Sequence, residues 1–221
     1  VMLSHTYEDR VVTLKSLITN KALAAYFPVI VVIAVVDSEA ELIAVSQNFQ
    51  QQTFARKQLV IILGQLAQQL ALPDIAAVLF TTKDECIEYL RSQSPDSFMA
   101  LFAASDYYGK NYLQDLILAT RYTDKNIIAY GKSSYFGHQQ GKCKLFQNDN
   151  HYQLVGKLFL RSSIVRLTQI FKENPLRYFT TTTILKNLPM YGVDEFNYCR
   201  NSTQIKKFKP EFVDDINPHV L

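Results

Sequence analysis

Glycine is scarce in this chain, seven among 221 residues, and no Gly-x-Gly-x-x-Gly phosphate cradle follows the first apolar stretch. An ordinary dinucleotide-binding loop is therefore absent. Cysteine is scarcer still. Cys86, Cys143 and Cys199 are far apart, odd in number and in no metal-ligand spacing, so they read as reduced thiols of a non-secreted protein. Charged residues make up only 19%, with a formal net charge of +3, too mild a balance for a nucleic-acid binder. No stretch approaches the ~20 apolar residues that span a bilayer. The apolar run 28–36 is nine residues rich in Val and Ile. The first residues carry no basic region followed by an apolar stretch, so no signal peptide is read. They have the pattern of the middle of a helix, and the expectation is a piece cut from a longer protein.

What is present suffices for a full core: 48% of the residues are hydrophobic. Helical spacing of Tyr7, Val11, Leu14, Leu17 and Ile18 predicts a leading helix. A strand over 29–36 follows, then a capping-box pattern, Ser38 with Glu41, opening a helix to about Gln51. Strands are expected over 59–63, 75–80, 98–103 and 127–130, alternating with helices over 65–72, 83–91 and 111–122. Such alternation predicts an α/β fold, a parallel sheet wrapped by helices on both faces. After Gly131 the pattern becomes mixed. Strands over 142–146 and 152–160 frame an Asn148-Asp149-Asn150 turn as an expected hairpin, and 163–171 reads as a short helix.

The most informative stretch is Ser105-Asp106-Tyr107-Tyr108-Gly109-Lys110-Asn111-Tyr112-Leu113, a polar turn between an apolar strand and an amphipathic helix. Open α/β sheets hold ligands at such strand ends. It resembles a phrase of the inverting family 2 glycosyltransferases of GT-A type, where an acidic Asp-x-Asp-Asp cluster precedes Tyr-Tyr-Gly and a helix. Gln52-Thr53-Phe54 is similar to the family's Gln-Thr-Tyr ending of the first strand–helix unit. Tyr191 to Arg200 resembles its closing Tyr-Ser-x-Asp-x-Phe-Asn-Tyr-x-Arg segment. Ser4 to Arg10 is similar to a His-Thr-Tyr-x-x-Arg helix closing the GT-B domain of spore-maturation-type glycosyltransferases, which a GT-A domain can follow.

The resemblance implies a GT-A, nucleotide-diphospho-sugar transferase fold with a mostly parallel central sheet and a mixed α+β C-terminal part. It implies a junction helix over 1–24, a nucleotide-binding-type half over 25–131 and an acceptor-type half over 132–221. It also implies a bacterial cell-surface glycan as the context, a GT-B neighbour, a nucleotide-sugar or glycan acceptor as ligand, and a cytoplasmic location peripheral to the inner membrane face.

The chain departs from the family where the chemistry lies. Of the acidic cluster only Asp106 remains, with Ala103 and Ser105 at the other positions. The second strand ends Leu63-Gly64-Gln65 instead of in paired aspartates, and no acid lies between Glu173 and Asp194, where the base is expected. The implied donor-binding residues are Asp37, Ser105, Asp106, Tyr107 and Tyr108, with Asp106 the one candidate metal ligand. A single carboxylate is a weak seat for Mg²⁺ or Mn²⁺, and capping of the turn is the competing role. Asp37 could equally cap the helix beside Ser38, and one of the two tyrosines is expected to pack against the sheet. Asp194 and Glu195 are poor candidates for a displaced base. Arg200, Lys206, Lys207 and Lys209 read as a solvated tail able to meet a diphosphate, and His138 and His151 as loop residues. Two functions follow: a degenerate binding or docking module needing no cofactor, or an active transferase using Mg²⁺ or Mn²⁺.

Overall fold

The computed structural model describes residues 14, 16–19, 27–64, 76–147 and 151–214. Residues 14 and 16–19 are helical. The rest of the leading segment, the helix expected over 65–72 and the Asn148–Asn150 turn lie outside the described residues. The first half comprises β1 (Ile30–Val36), α1 (Glu39–Gln50), β2 (Lys57–Leu63), β3 (Ala77–Phe80), α2 (Lys83–Arg91), β4 (Phe98–Leu101), β5 (Tyr107–Tyr108), α3 (Tyr112–Ala119) and β6 (Ala129–Lys132). Then come β7 (Tyr135–Gln139), β8 (Lys142–Phe146), β9 (Gln153–Leu154), β10 (Lys157–Phe159), β11 (Ser163–Arg166), α4 (Leu167–Ile170), β12 (Ile184–Lys186), β13 (Met190–Val193), β14 (Tyr198–Arg200) and α5 (Glu211–Asp214).

The architecture is α/β, as expected. Eight strands form the main sheet in the order β3-β2-β1-β4-β11-β6-β13-β9. β3, β2, β1 and β4 run parallel, β6 and β13 share their direction, and β11 and β9 run against them. β1 sits inside this sheet because Ile-Val-Val-Ile-Ala-Val-Val is apolar on both faces. Ile30, Val32, Ala34 and Val36 meet Leu42 and Val45 of α1 and Leu113, Leu116 and Ile117 of α3. Val31 and Ile33 face a second core containing Cys86, Ile87 and Leu90 of α2 and Leu167 and Ile170 of α4. Helices thus cover both faces.

Local chemistry sets the helix starts. Thr82 Oγ1 accepts from Glu85 N at 3.2 Å, while Glu85 accepts from Thr82 N at 3.1 Å, a complete capping box for α2. Ser38 caps α1 by accepting from Glu41 N, and Glu41 reaches back to Asp37 N at 2.7 Å.

Two expectations of the second half are corrected. β8 does not pair across the Asn148–Asn150 turn. It pairs antiparallel with β7 through Gln140 and Gly141, both at positive φ (52° and 79°). The segment read as its partner is divided: β9 pairs with β13 and β10 with β12. Residues 163–166, read as helical, form β11 between β4 and β6. There Ile164 and Val165 supply opposite faces to the two cores, a period-two pattern too short to stand out beside the helical residues that follow. A smaller sheet, β5-β14-β7-β8, closes one end of the molecule.

Candidate functional site

β1, β2, β4, β6 and β13 point the same way, so their carboxyl ends open on one edge of the main sheet. There lie Asp37, Gly64, the loop 102–111, Lys132 and Asp194. Asp37 is exposed and does not cap α1; that role falls to Ser38. Its carboxylate lies directly over Gly64, where a β-carbon would come within 1.7 Å of Oδ1. Glycine at the end of β2 thus makes room for the acid at the end of β1.

The loop after β4 is locked from every side. Asn48 of α1 donates to the Asp106 carbonyl at 3.0 Å and accepts from Tyr108 N at 3.1 Å. Gln52 donates to the Gly109 carbonyl at 2.8 Å and accepts from Leu113 N at 3.1 Å. Thr53 N donates to the Lys110 carbonyl at 2.8 Å, and Gly109 N to the Asn197 carbonyl at 2.9 Å. Three of the four phrases quoted above, distant in sequence, therefore meet at this one loop.

Asp106 is 2% exposed. Its Oδ1 accepts from Asn201 N at 2.8 Å and from Ser105 Oγ at 3.2 Å, and Oδ2 accepts from the Tyr198 hydroxyl at 2.7 Å. Arg161 Nε stands 3.0 Å from Oδ2, a charge contact rather than a directed hydrogen bond, while its Nη2 donates to Asn201 Oδ1 at 2.7 Å. Burial pushes the Asp106 carboxyl up from its ordinary range, against the pull of Arg161 and these donors. The Ser105 carbonyl accepts from Thr203 N at 3.3 Å. Tyr108 is wholly buried, stacked on Phe102 at 3.9 Å, its hydroxyl accepting from Ala103 N and donating to the Arg161 carbonyl. Tyr107, half-buried, donates to Asp214 at 2.5 Å and meets Phe208 edge-on. Both tyrosines therefore pack.

Whether these residues fit Mg²⁺ or Mn²⁺ follows from the donor set. A hard dication takes six or more oxygens, and even Mg²⁺, which keeps several waters, needs at least one free carboxylate beside a substrate's phosphates. Both Asp106 oxygens are engaged, the Ser105 hydroxyl is turned onto Asp106, and Ala103 offers none. Among the described residues no group of three or more His, Cys, Asp or Glu side chains is placed to hold a metal. The described residues do not fit the ion.

Further along the same edge, the wholly buried Lys132 ammonium stands 2.7 Å from Asp194 Oδ1 and 3.5 Å from Asp115 Oδ2. Tyr152 donates to Asp194 Oδ2 at 2.7 Å, and Asn197 to Asp115 Oδ2 at 2.9 Å. Burial raises the Asp115 carboxyl, with Lys132 opposing and Asp194 adding to the rise. Burial also pushes Asp194 upward, but the Lys132 charge and the bonds from Lys132, Tyr152 and Phe196 N outweigh it, leaving Asp194 below its ordinary range. Glu195 stands 3.4 Å from His151 Nδ1.

Arg161, Lys132 and Asp115 were not singled out in the sequence. The available signal was a lone cation at the close of an apolar run, Phe159-Leu160-Arg161 and Ile127 to Lys132, which in a core demands a counter-charge. The segment read as a solvated tail keeps Lys206, Lys207 and Lys209 exposed, but its backbone is held: Ile205 and Val213 are buried with Cys199, and Lys206 N donates to the Gly141 carbonyl.

No family model matches the chain, and no curated protein matches it. Among solved structures it is similar to the crystal structure of S. aureus TarS 1–349, at 8% identity and a TM-score of 0.48, over 83% of this chain and 68% of that one. No helix among the described residues is long and apolar enough to cross a membrane.

Proposed function

We propose that this chain is a glycosyltransferase-like module: a GT-A shell of family 2 type whose strand-end chemistry has been replaced by internal ion pairs. It binds or docks a glycan or nucleotide-sugar for a neighbouring GT-B domain of a bacterial cell-surface glycan transferase, on the cytoplasmic side of the membrane. The observation carrying this reading is the state of Asp106. The one acid of the implied metal cluster is sealed against Arg161, Tyr198 and Asn201. Leaving-group stabilisation needs a positive charge aimed at the diphosphate, and a carboxylate already engaged by a buried guanidinium is not free to hold a cation there. Packing and catalysis use different residues, so a shell persists without its reaction.

The competing reading, an active inverting transferase, draws on Asp194 and Asp115. Both stand against Lys132 at that sheet edge with 22% and 26% of their side chains exposed, as bases for an acceptor hydroxyl. Thermal melting with UDP or GDP, each with and without Mn²⁺, separates the two. A ligand specific to the folded state raises Tm. The module reading expects any nucleotide effect to be the same with and without Mn²⁺, and no sugar release from UDP- or GDP-sugars. A Mn²⁺-dependent rise accompanied by turnover would reverse the assignment.

A further inference from the structure

Outside the strand-end site, five cations from distant parts of the sequence fall in one stripe across the two smaller sheets. In β14-β7-β8, Arg200 and Lys144 are both register partners of Gly137, so they flank it on one face. Lys142, two residues from Lys144, shares that face. The Arg200 guanidinium lies 4.6 Å from the centre of the Phe159 ring and donates to the Tyr135 hydroxyl at 3.4 Å. Phe159 belongs to β10, where Lys157 lies two residues away on the same face, directly opposite Lys186 of β12. Tyr135 links the two parts, 5.9 Å from Phe159 and stacked on Phe146 at 5.5 Å.

The four lysines are exposed, Arg200 is half-buried, and none of the five has a carboxylate within ion-pair distance among the described residues. Like charges placed directly opposite on a ladder destabilise it, so the Lys157–Lys186 pair opposes folding unless an anion sits between. Strand spacing sets the Arg200 and Lys144 backbones about 10 Å apart, with Lys142 about 7 Å from Lys144. Long side chains at that spacing can converge on one phosphate or follow a row of them. Guanidinium and ammonium groups are the natural donors to phosphate oxygens, and half-buried aromatic rings accept the apolar face of a sugar ring.

We infer that this stripe is a metal-independent binding site for phosphate carried on a sugar, either free or within a phosphorylated glycan. The anion part stands on the cations alone. The sugar part rests on the glycosyltransferase-like reading above.

The test is calorimetric titration of the 221-residue chain, with EDTA and at low salt, using inorganic pyrophosphate, a hexose phosphate, a phosphomannan, glucose and a single-stranded RNA. Pyrophosphate and the hexose phosphate are expected to bind, the hexose phosphate more tightly, glucose not at all, and both affinities to fall with added salt. Tighter binding per phosphate of phosphomannan assigns a chain as the ligand; equal binding assigns the free sugar phosphate. Lys157→Gln with Lys186→Gln should weaken binding roughly five- to tenfold. The same variant should leave Tm unchanged or higher, which a structural role for these lysines would not give. Failure of both anions to bind, binding indifferent to the double substitution, or glucose binding as well as hexose phosphate overturns the site. RNA binding more tightly than phosphomannan at equal charge overturns the ligand class. None of these outcomes depends on Mn²⁺, so they are separable from failure of the module reading.

Discussion

At Asp106 a carboxylate that the family resemblance would offer to a metal stands as the counter-charge of Arg161, both inside the core. Asp106→Ala leaves a guanidinium buried without its partner, a loss of about 3–5 kcal/mol, read as a lower urea midpoint. Asp106→Asn keeps one oxygen to accept from Asn201 N, with the Tyr198 hydroxyl able to turn and accept from the amide NH2, and should lose clearly less. Were Asp106 a metal ligand in an open site, both substitutions would leave the midpoint nearly unchanged. Asp194 has the opposite pH signature from Asp106. Its folded-state pKa is depressed, so its stabilising contribution is present above the unfolded carboxylate value of about 3.9 and is lost as pH falls through the folded value. The stability gap between the wild-type protein and Asp194→Asn should therefore be full at neutral pH and close on acidification below about 4. A gap that widens under acid would show that Lys132 does not hold the carboxylate charged.

Among the elements, legibility followed the strength of the local signal. α2 was read to the residue, because Thr82 and Glu85 announce its start and Arg91 closes its amphipathic run. β1 was read nearly so, being a nine-residue apolar stretch with no alternative use. β11 was misread. Four residues carry little period of their own, and the strand exists because β4 and β6 each offer it an unpaired edge. The fit is close: a β-carbon on Gly131 of β6 would come 2.5 Å from Ser163 Cβ and 2.9 Å from the Ser162 carbonyl. Gly131→Ala should therefore push β11 outward and cost about 1–3 kcal/mol. Equilibrium unfolding of the variant measures it, and a neutral result would mean that the β6–β11 contact is looser than described.

At the scale of the whole molecule, the mild net charge of +3 conceals a strongly uneven distribution. Arg161 and Lys132 are buried against carboxylates, while Lys142, Lys144, Lys157 and Lys186 stand exposed on the two smaller sheets with no carboxylate within ion-pair distance among the described residues. Composition reported only the sum. The resembling phrases behave in the same way. Gln52-Thr53-Phe54, the loop 105–113 and the segment 191–200 were visible one by one, but their mutual docking through Asn48, Gln52, Thr53 and Asn197 was not.

The amino-acid sequence by itself determined what depends on neighbours along the chain: which runs are apolar enough to be inner strands, where capping residues start helices, and which acids are missing. Tertiary structure alone decided the order of the strands, the placing of β11, and which cations face which carboxylates. Burial makes that last choice matter. An ion pair gains or loses its meaning with the dielectric around it, and that surrounding is built by residues more than fifty positions away.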